Sequence, residues 1–167
     1  MTTQDTIILD KKQIGHKLER MAWQIYETNV KEDEIVLAGI DKNGYDLAKK
    51  LKLLVRKVAP FEVLLCKVVI DKSNPTNAVN TSIKDTDYQG KSVVLVDDVL
   101  HSGTTLIYGV KHFLNVPIKQ LKTAVLVDRN HKKYPVKADF KGISLSTSLN
   151  ENVQVILEKN NERAVLE

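Results

Sequence analysis

Two adjacent carboxylates, Asp97 and Asp98, follow the apolar run Val93–Val96 and precede Ser102-Gly103-Thr104-Thr105. The apolar run reads as a buried strand, and a carboxylate at its end is costly unless paired or solvated. An ionised carboxylate only accepts hydrogen bonds, and a vicinal diol donates two, so a ribose suits the pair. Ser102–Thr105 then offers hydroxyls and backbone N–H groups at the start of a helix, a cradle for an anion such as phosphate. Gly103 permits the close backbone approach that a side chain would block. Taken singly, these pieces are an ordinary strand, a solvated acidic pair and a Ser/Thr cap; their combination in one stretch points to a phosphorylated sugar. No Gly-x-x-x-x-Gly-Lys-Ser/Thr run occurs, which excludes a Walker-type NTPase loop.

Elements of alternating type must position this segment. Ile14, Leu18, Met21, Ala22 and Ile25 recur at helical spacing, with Asp10 and Gln13 as an N-cap pair. Ile35–Ile40 reads as a buried strand, Asp41–Gly44 as a turn, and Tyr45–Lys57 as a helix with Leu47, Leu51 and Leu54 on one face. Phe61–Ile70 reads as a second strand, and polar Asp71–Gly90, with Asn74-Pro75, as a long loop or mobile hairpin. Ser92–Val96 is the third strand. Thr104–Leu114 is a helix closed by Asn115 and Pro117, and Leu121–Val127 is a strand ending at Asp128. Ala138–Ser144 and Val153–Leu157 read as shorter strands near the end of the same sheet. The alternation predicts an α/β fold with a mainly parallel sheet covered on both faces. Ligands in such sheets bind beyond the carboxyl ends of the strands, which selects the turns Asp41–Gly44, Asp97–Thr105 and Asp128–His131.

The 167 residues suit a single domain, 1–167, with 43% hydrophobic and 28% charged residues, an ordinary globular balance. No apolar run reaches the length of a membrane helix, and the polar Met1–Lys12 does not read as a signal peptide. The single cysteine, Cys66, lies in the apolar run Val63–Ile70 and reads as a core residue; it agrees with a reducing cytoplasm. A net charge of +4 favours anionic ligands without selecting nucleic acid. Nothing has the spacing of a zinc site, and no protein metal ligand set is expected.

Val93–Thr105 resembles the signature by which type I phosphoribosyltransferases bind 5-phosphoribosyl-1-pyrophosphate (PRPP). His101, in place of the usual small residue, is similar to the pyrimidine operon attenuator/uracil phosphoribosyltransferase branch. Gly39–Ala48 resembles that branch's pyrophosphate loop, and Ala124–Phe140 its stretch after the fourth main strand. The resemblance runs from about residue 14 to Leu157 and is patchy at Asp71–Tyr88. It implies a parallel twisted sheet flanked by helices with a small hood, and Mg2+-dependent transfer of phosphoribose from PRPP to a nucleobase, uracil on this branch. It further implies that Asp97 and Asp98 hold the ribose hydroxyls, directly or through Mg2+, and assist catalysis, while Val99, Leu100, His101 and Ser102–Thr105 surround ribose and 5-phosphate. Asp41, Lys42, Asn43 and Gly44 would face pyrophosphate, and a homodimer is implied. The alternative on this branch is an RNA-binding regulator that uses PRPP or nucleotide as effector.

Some positions depart from the pattern. Asn43 stands where the branch usually carries arginine, leaving Lys42 to supply charge without a bidentate fork. The flexible loop lacks its arginine, so Lys72 and Lys84 are the candidate cations for closure. Asp128 and Arg129 read either as base-site or pyrophosphate neighbours or as a local ion pair. His131, Lys132, Lys133 and Lys137 read as a solvated basic loop with affinity for phosphates. His16 and His112 read as surface residues, and Trp23 and Tyr26 as packing or dimer residues.

Overall fold

A computed structural model describes residues 5–167. The chain runs β1 (Thr6–Leu9), α1 (Lys11–Thr28), β2 (Glu34–Ile40), α2 (Asn43–Val58), β3 (Glu62–Val69), β4 (Asn80–Thr81) and α3 (Asp85–Tyr88). It continues through β5 (Ser92–Leu100), α4 (Thr104–Phe113), β6 (Gln120–Arg129), β7 (Phe140–Leu145), β8 (Val153–Ile156) and β9 (Arg163–Leu166). The reading of Met1–Lys12 extends to residues 1–4, which lie outside the described residues. No helix among the described residues is long and apolar enough to cross a membrane.

The main sheet has the order β4-β3-β2-β5-β6-β7 and is parallel throughout except for β4, which pairs antiparallel with β3. Side chains alternate across a strand, so each central strand feeds two cores. Val94 and Val96 of β5 join α1 and α2 through Ile14, Leu18, Leu47 and Leu51, whereas Val93 and Leu95 face Leu106 and Phe113 of α4. Removing Leu95 to alanine from so dense a position costs about 2–5 kcal/mol. Helix α1 begins where Asp10 accepts from the Gln13 amide at 2.8 Å while the Gln13 side chain accepts from the Asp10 amide at 2.9 Å, the reciprocal cap its sequence predicts. Cys66 is fully buried, and burial pushes its thiol pKa up.

Three expectations change. Val153–Ile156 does not extend the main sheet: it forms a separate antiparallel sheet, β1-β9-β8, with two strands that the alternation left unread. That sheet is the hood, and Leu9, Val153, Val155 and Ala164 seat it on the α1–α2 core. Strand β5 does not stop at Val96 but continues through both aspartates to Leu100, because its neighbour β6 extends equally far and pairs with it up to Leu100–Asp128. Third, His112 is half-buried rather than on the surface, packed edge-on against Phe113 with Tyr88 beside it. His16 is exposed as expected. Asp71–Gly90 folds as a hairpin limb, β4 on the edge of β3, followed by the short α3.

Candidate functional site

The carboxyl ends of the parallel strands converge on a cleft of about 390 Å³. Its floor is the run Asp97–Leu106, and its walls come from Lys72 of the β3–β4 loop, Arg129 of β6, and Asn152 and Val153 of the hood. Asp97 is 5% exposed, and its Oδ1 accepts the Asp98 amide at 2.9 Å. Burial, reinforced by the neighbouring Asp98 charge, raises its pKa well above the ordinary carboxylate value, with Lys72 opposing. Asp98 is half-buried; its Oδ1 accepts the Val99 amide at 2.8 Å and its Oδ2 accepts Asn43 Nδ2 at 3.0 Å.

The loop between β5 and α4 is shaped by contacts of its own backbone. Gly103 lies in the left-handed region (φ 86°), and a Cβ there would come within 2.6 Å of Val136 Cγ1, so glycine is required twice over. Ser102 Oγ and Thr104 Oγ1 lie 2.9 Å apart, and the amides of Lys133 and Tyr134 brace Ser102 by bonding its carbonyl at 2.8 and 3.2 Å. The first-turn N–H groups of a helix lack intrahelical partners. At the N-terminus of α4 the Thr104 amide donates to Ser102 Oγ at 3.3 Å, and the first-turn amides that follow have no intrahelical partner. Exposed His101 stands among cationic neighbours: desolvation first, then Arg129, His131 and Lys133, lowers its pKa.

The acidic pair suits Mg2+ in one particular way. Among the described residues no cluster of three or more histidine, cysteine, aspartate or glutamate side chains could enclose a metal. Mg2+ does not need one, since it is typically held by one or two carboxylates with substrate phosphates and water completing an octahedron. Asp97 and Asp98 fit that role.

The family profile described as "Phosphoribosyl transferase domain" matches residues 4–159. This chain belongs to that phosphoribosyl transferase family. The Fusobacterium nucleatum protein named "Bifunctional protein PyrR" is 36% identical over 163 residues, covering 92% of this chain and 91% of the relative. The protein of the same name from Macrococcus caseolyticus is 35% identical over 162 residues, with 92% of each chain covered. These relatives agree with the branch that Val93–Thr105 resembles. Among solved structures, the hypoxanthine phosphoribosyltransferase of Trypanosoma cruzi complexed with the product IMP superposes with a TM-score of 0.79 at 16% identity, over 98% of this chain and 89% of that one. A hypoxanthine-guanine phosphoribosyltransferase from Bacillus anthracis gives 0.69 at 22% identity, over 87% and 84%. At such identities the likeness is one of fold.

Within this phosphoribosyl transferase frame, the expected residues do not all converge. Asp97–Thr105 and Lys72 line the cleft. Lys84 does not: it is exposed at the start of α3, carried there by the β4 hairpin. Lys42 and Asn43 line an adjoining recess of about 410 Å³ together with Asp46 and Gln154–Glu158. Gly44 lines neither recess; it is buried, and a Cβ on it would lie 2.6 Å from Val96 O and 2.9 Å from Asp97 Cα. Its glycine is a matter of helix–strand contact. The Asp41 amide donates to Val68 O at 2.8 Å, tying the turn to β3, and the Asp41–Lys42 peptide is cis.

Asp128 and Arg129 do not pair with each other. Asp128 lies 3.1 Å from Lys132 Nζ and 3.5 Å from Lys141 Nζ, and the Lys132 contact is an ion pair without hydrogen-bond geometry. Arg129 is 3% exposed and donates to Thr147 Oγ1 at 2.8 Å and Glu151 O at 2.6 Å. Desolvation lowers its pKa, with Glu151 opposing. It forms cleft wall while its donors hold the loop into the hood. Of the basic loop, Lys132 is occupied by Asp128, Lys137 by Asp139, and the His131 ring by Thr147 O at 2.9 Å. Asn152 and Thr147 have no signal in the sequence, and Val153, read there only as part of a strand, has none for the cleft wall, because nothing in these short stretches marks a fold back over another strand's end.

Proposed function

We propose that this chain transfers 5-phosphoribose from PRPP to a nucleobase, uracil on the branch its sequence resembles, releasing pyrophosphate. The observation that carries this reading is the shared cleft: the Asp97–Asp98 pair and the Ser102–Thr105 cradle lie on one floor, along one chain segment. In this reading the cradle's amides and hydroxyls hold the 5-phosphate, and Asp97 and Asp98 accept from the ribose 2- and 3-hydroxyls. The bond from the anomeric carbon to a pyrophosphate oxygen breaks while a ring nitrogen of the base forms its new bond to that carbon, and the proton that nitrogen carried passes to solvent. Positive charge develops on the ribose ring as the bond lengthens, and the carboxylate pair below it is placed to stabilise that charge. Bound Mg2+ would neutralise the departing pyrophosphate. Lys72, on the loop facing the acidic pair, supplies the cation that the missing loop arginine would otherwise bring, as a point charge without a fork. Lys42 lies in the adjoining recess, where it can meet pyrophosphate. No protein nucleophile is needed, since alignment and charge account for the step.

The RNA-binding alternative draws on the exposed segment from His131 to Lys137. That segment is a run of exposed cations, whereas the cleft gathers the acidic pair and the cradle on one floor, so the transferase reading is the stronger. We infer that the chain acts as one domain, in the cytoplasm, as a homodimer. Incubating the protein with PRPP, Mg2+ and a panel of nucleobases, and following pyrophosphate release, tests the transfer. Release with uracil is expected. PRPP binding without release for any base would rule transfer out, and salt-dependent binding to structured RNA would then support the regulator.

A further inference from the structure

Asn43 stands where the sequence leads one to expect a contact to pyrophosphate, yet both hydrogens of its amide nitrogen are engaged within the chain. Nδ2 donates to Asp98 Oδ2 at 3.0 Å and to the Val155 carbonyl at 2.9 Å. The other Asp98 oxygen is held by the Val99 amide, so Asp98 is fixed at both ends of its carboxylate. Val155 belongs to β8, which lies at the edge of the hood sheet and pairs only with β9. An edge strand carries open carbonyls that need partners outside the sheet, and Asn43 provides one. The same helix, α2, meets the hood a second time through Lys50, whose Nζ lies 2.5 Å from Glu162. The two attachments differ: Lys50 touches only the hood, whereas Asn43 touches the hood and the acidic pair together.

We propose that Asn43 is a positioning residue that couples occupancy of the ribose site to the position of the hood. The proposal rests on the reading of Asp97 and Asp98 as ribose ligands. A ribose hydroxyl or a cation reaching Asp98 Oδ2 competes with Asn43 Nδ2 for the same oxygen. When that bond weakens, Asn43 loses its anchor on the acidic pair, and the Val155 carbonyl and with it β8 lose their tie to Asp98. Asn152 and Val153, at the start of β8, form the wall above the acidic pair. Filling the sugar site therefore changes the wall against which the second substrate packs. Asn43 acts through Asp98 and β8 rather than on the reacting atoms.

Hydrogen–deuterium exchange on the full chain, with and without PRPP and Mg2+, tests the coupling in wild type, Asn43→Ala, Asn43→Asp and Lys50→Ala. In the free protein Asn43→Ala is expected to exchange Val153–Ile156 about tenfold faster, the loss of a hydrogen bond or two. Asn43→Asp is of the same size and keeps the reading available if the alanine variant does not fold. PRPP should alter β8 exchange in wild type and in Lys50→Ala, and leave it unaltered in both Asn43 variants. For pyrophosphate release, Asn43→Ala should lower kcat about tenfold, as a misplaced wall would, while Lys50→Ala stays within about twofold. If Asn43 served only to anchor the hood, the two variants would behave alike, and that result overturns the proposal. Unchanged β8 exchange in free Asn43→Ala overturns it as well. If wild type neither binds PRPP nor releases pyrophosphate, the ribose-site reading fails and the coupling fails with it, while exchange in the free protein still reports whether Asn43 holds β8.

Discussion

At the scale of single residues, Asp97 carries the sharpest conflict between folding and chemistry. It is buried beside a second carboxylate, and both facts raise its pKa in the folded state. A carboxyl whose folded pKa exceeds its unfolded value contributes stability that is fully present below the unfolded pKa and is lost as pH rises through the folded one. Raising the pH from the acid range toward neutrality therefore costs the fold stability through this group. Asp97→Asn is expected to be more stable than wild type at pH 7, with the difference shrinking as pH falls toward 4. Urea titrations at several pH values measure this; a variant less stable than wild type at pH 7 contradicts it. The same substitution is expected to weaken PRPP and Mg2+ binding, because an amide cannot supply the charge the site holds in reserve. Active-site residues that cost stability in this way are a common pattern.

At the scale of elements, the site depends on how closely α2 approaches β5. Gly44 touches the backbone at Val96 and Asp97, so an added methyl group has rigid atoms in its way. Gly44→Ala is expected to cost about 1–3 kcal/mol and to displace Asp97, lowering PRPP affinity with it. Gly15, inside α1, has nothing within 4 Å of an added Cβ, so Gly15→Ala is expected to gain about 0.5–1 kcal/mol. Thermal melts of the two variants compare them directly, and equal effects would show that close approach is not what keeps Gly44. The β3–β4 hairpin obeys the same logic of placement. Asp71 accepts from Ser73, Asn74 and Asn77, and these bonds shape the turn that carries Lys72 into the cleft wall while Lys84 is left outside.

At the scale of the whole molecule, the hood and the main sheet share one core. Val153, Val155 and Ala164 of the hood belong to the same buried cluster as Leu47, Leu51, Val94 and Val96. Two structural sheets that share a core are expected to melt together. Calorimetry should give a single transition with van't Hoff and calorimetric enthalpies equal, and a separate early transition for the hood would contradict it.

The sequence by itself determined the parallel core, the reciprocal cap of α1, and the cleft floor from Asp97 to Thr105. These are local facts: apolar periodicity selects strand or helix, and a run that leaves a strand and enters a helix carries its chemistry with it. Even there, the end of β5 was misjudged, since pairing with β6 rather than its own composition extends it to Leu100. Tertiary structure alone decided everything that joins distant segments. It brought Asn43 to Asp98 and Val155, bound Arg129 to Thr147 and Glu151, and set β1 beside β9 to build the hood. Such contacts join side chains and open carbonyls far apart along the chain, and nothing in the order of residues marks which of them will meet.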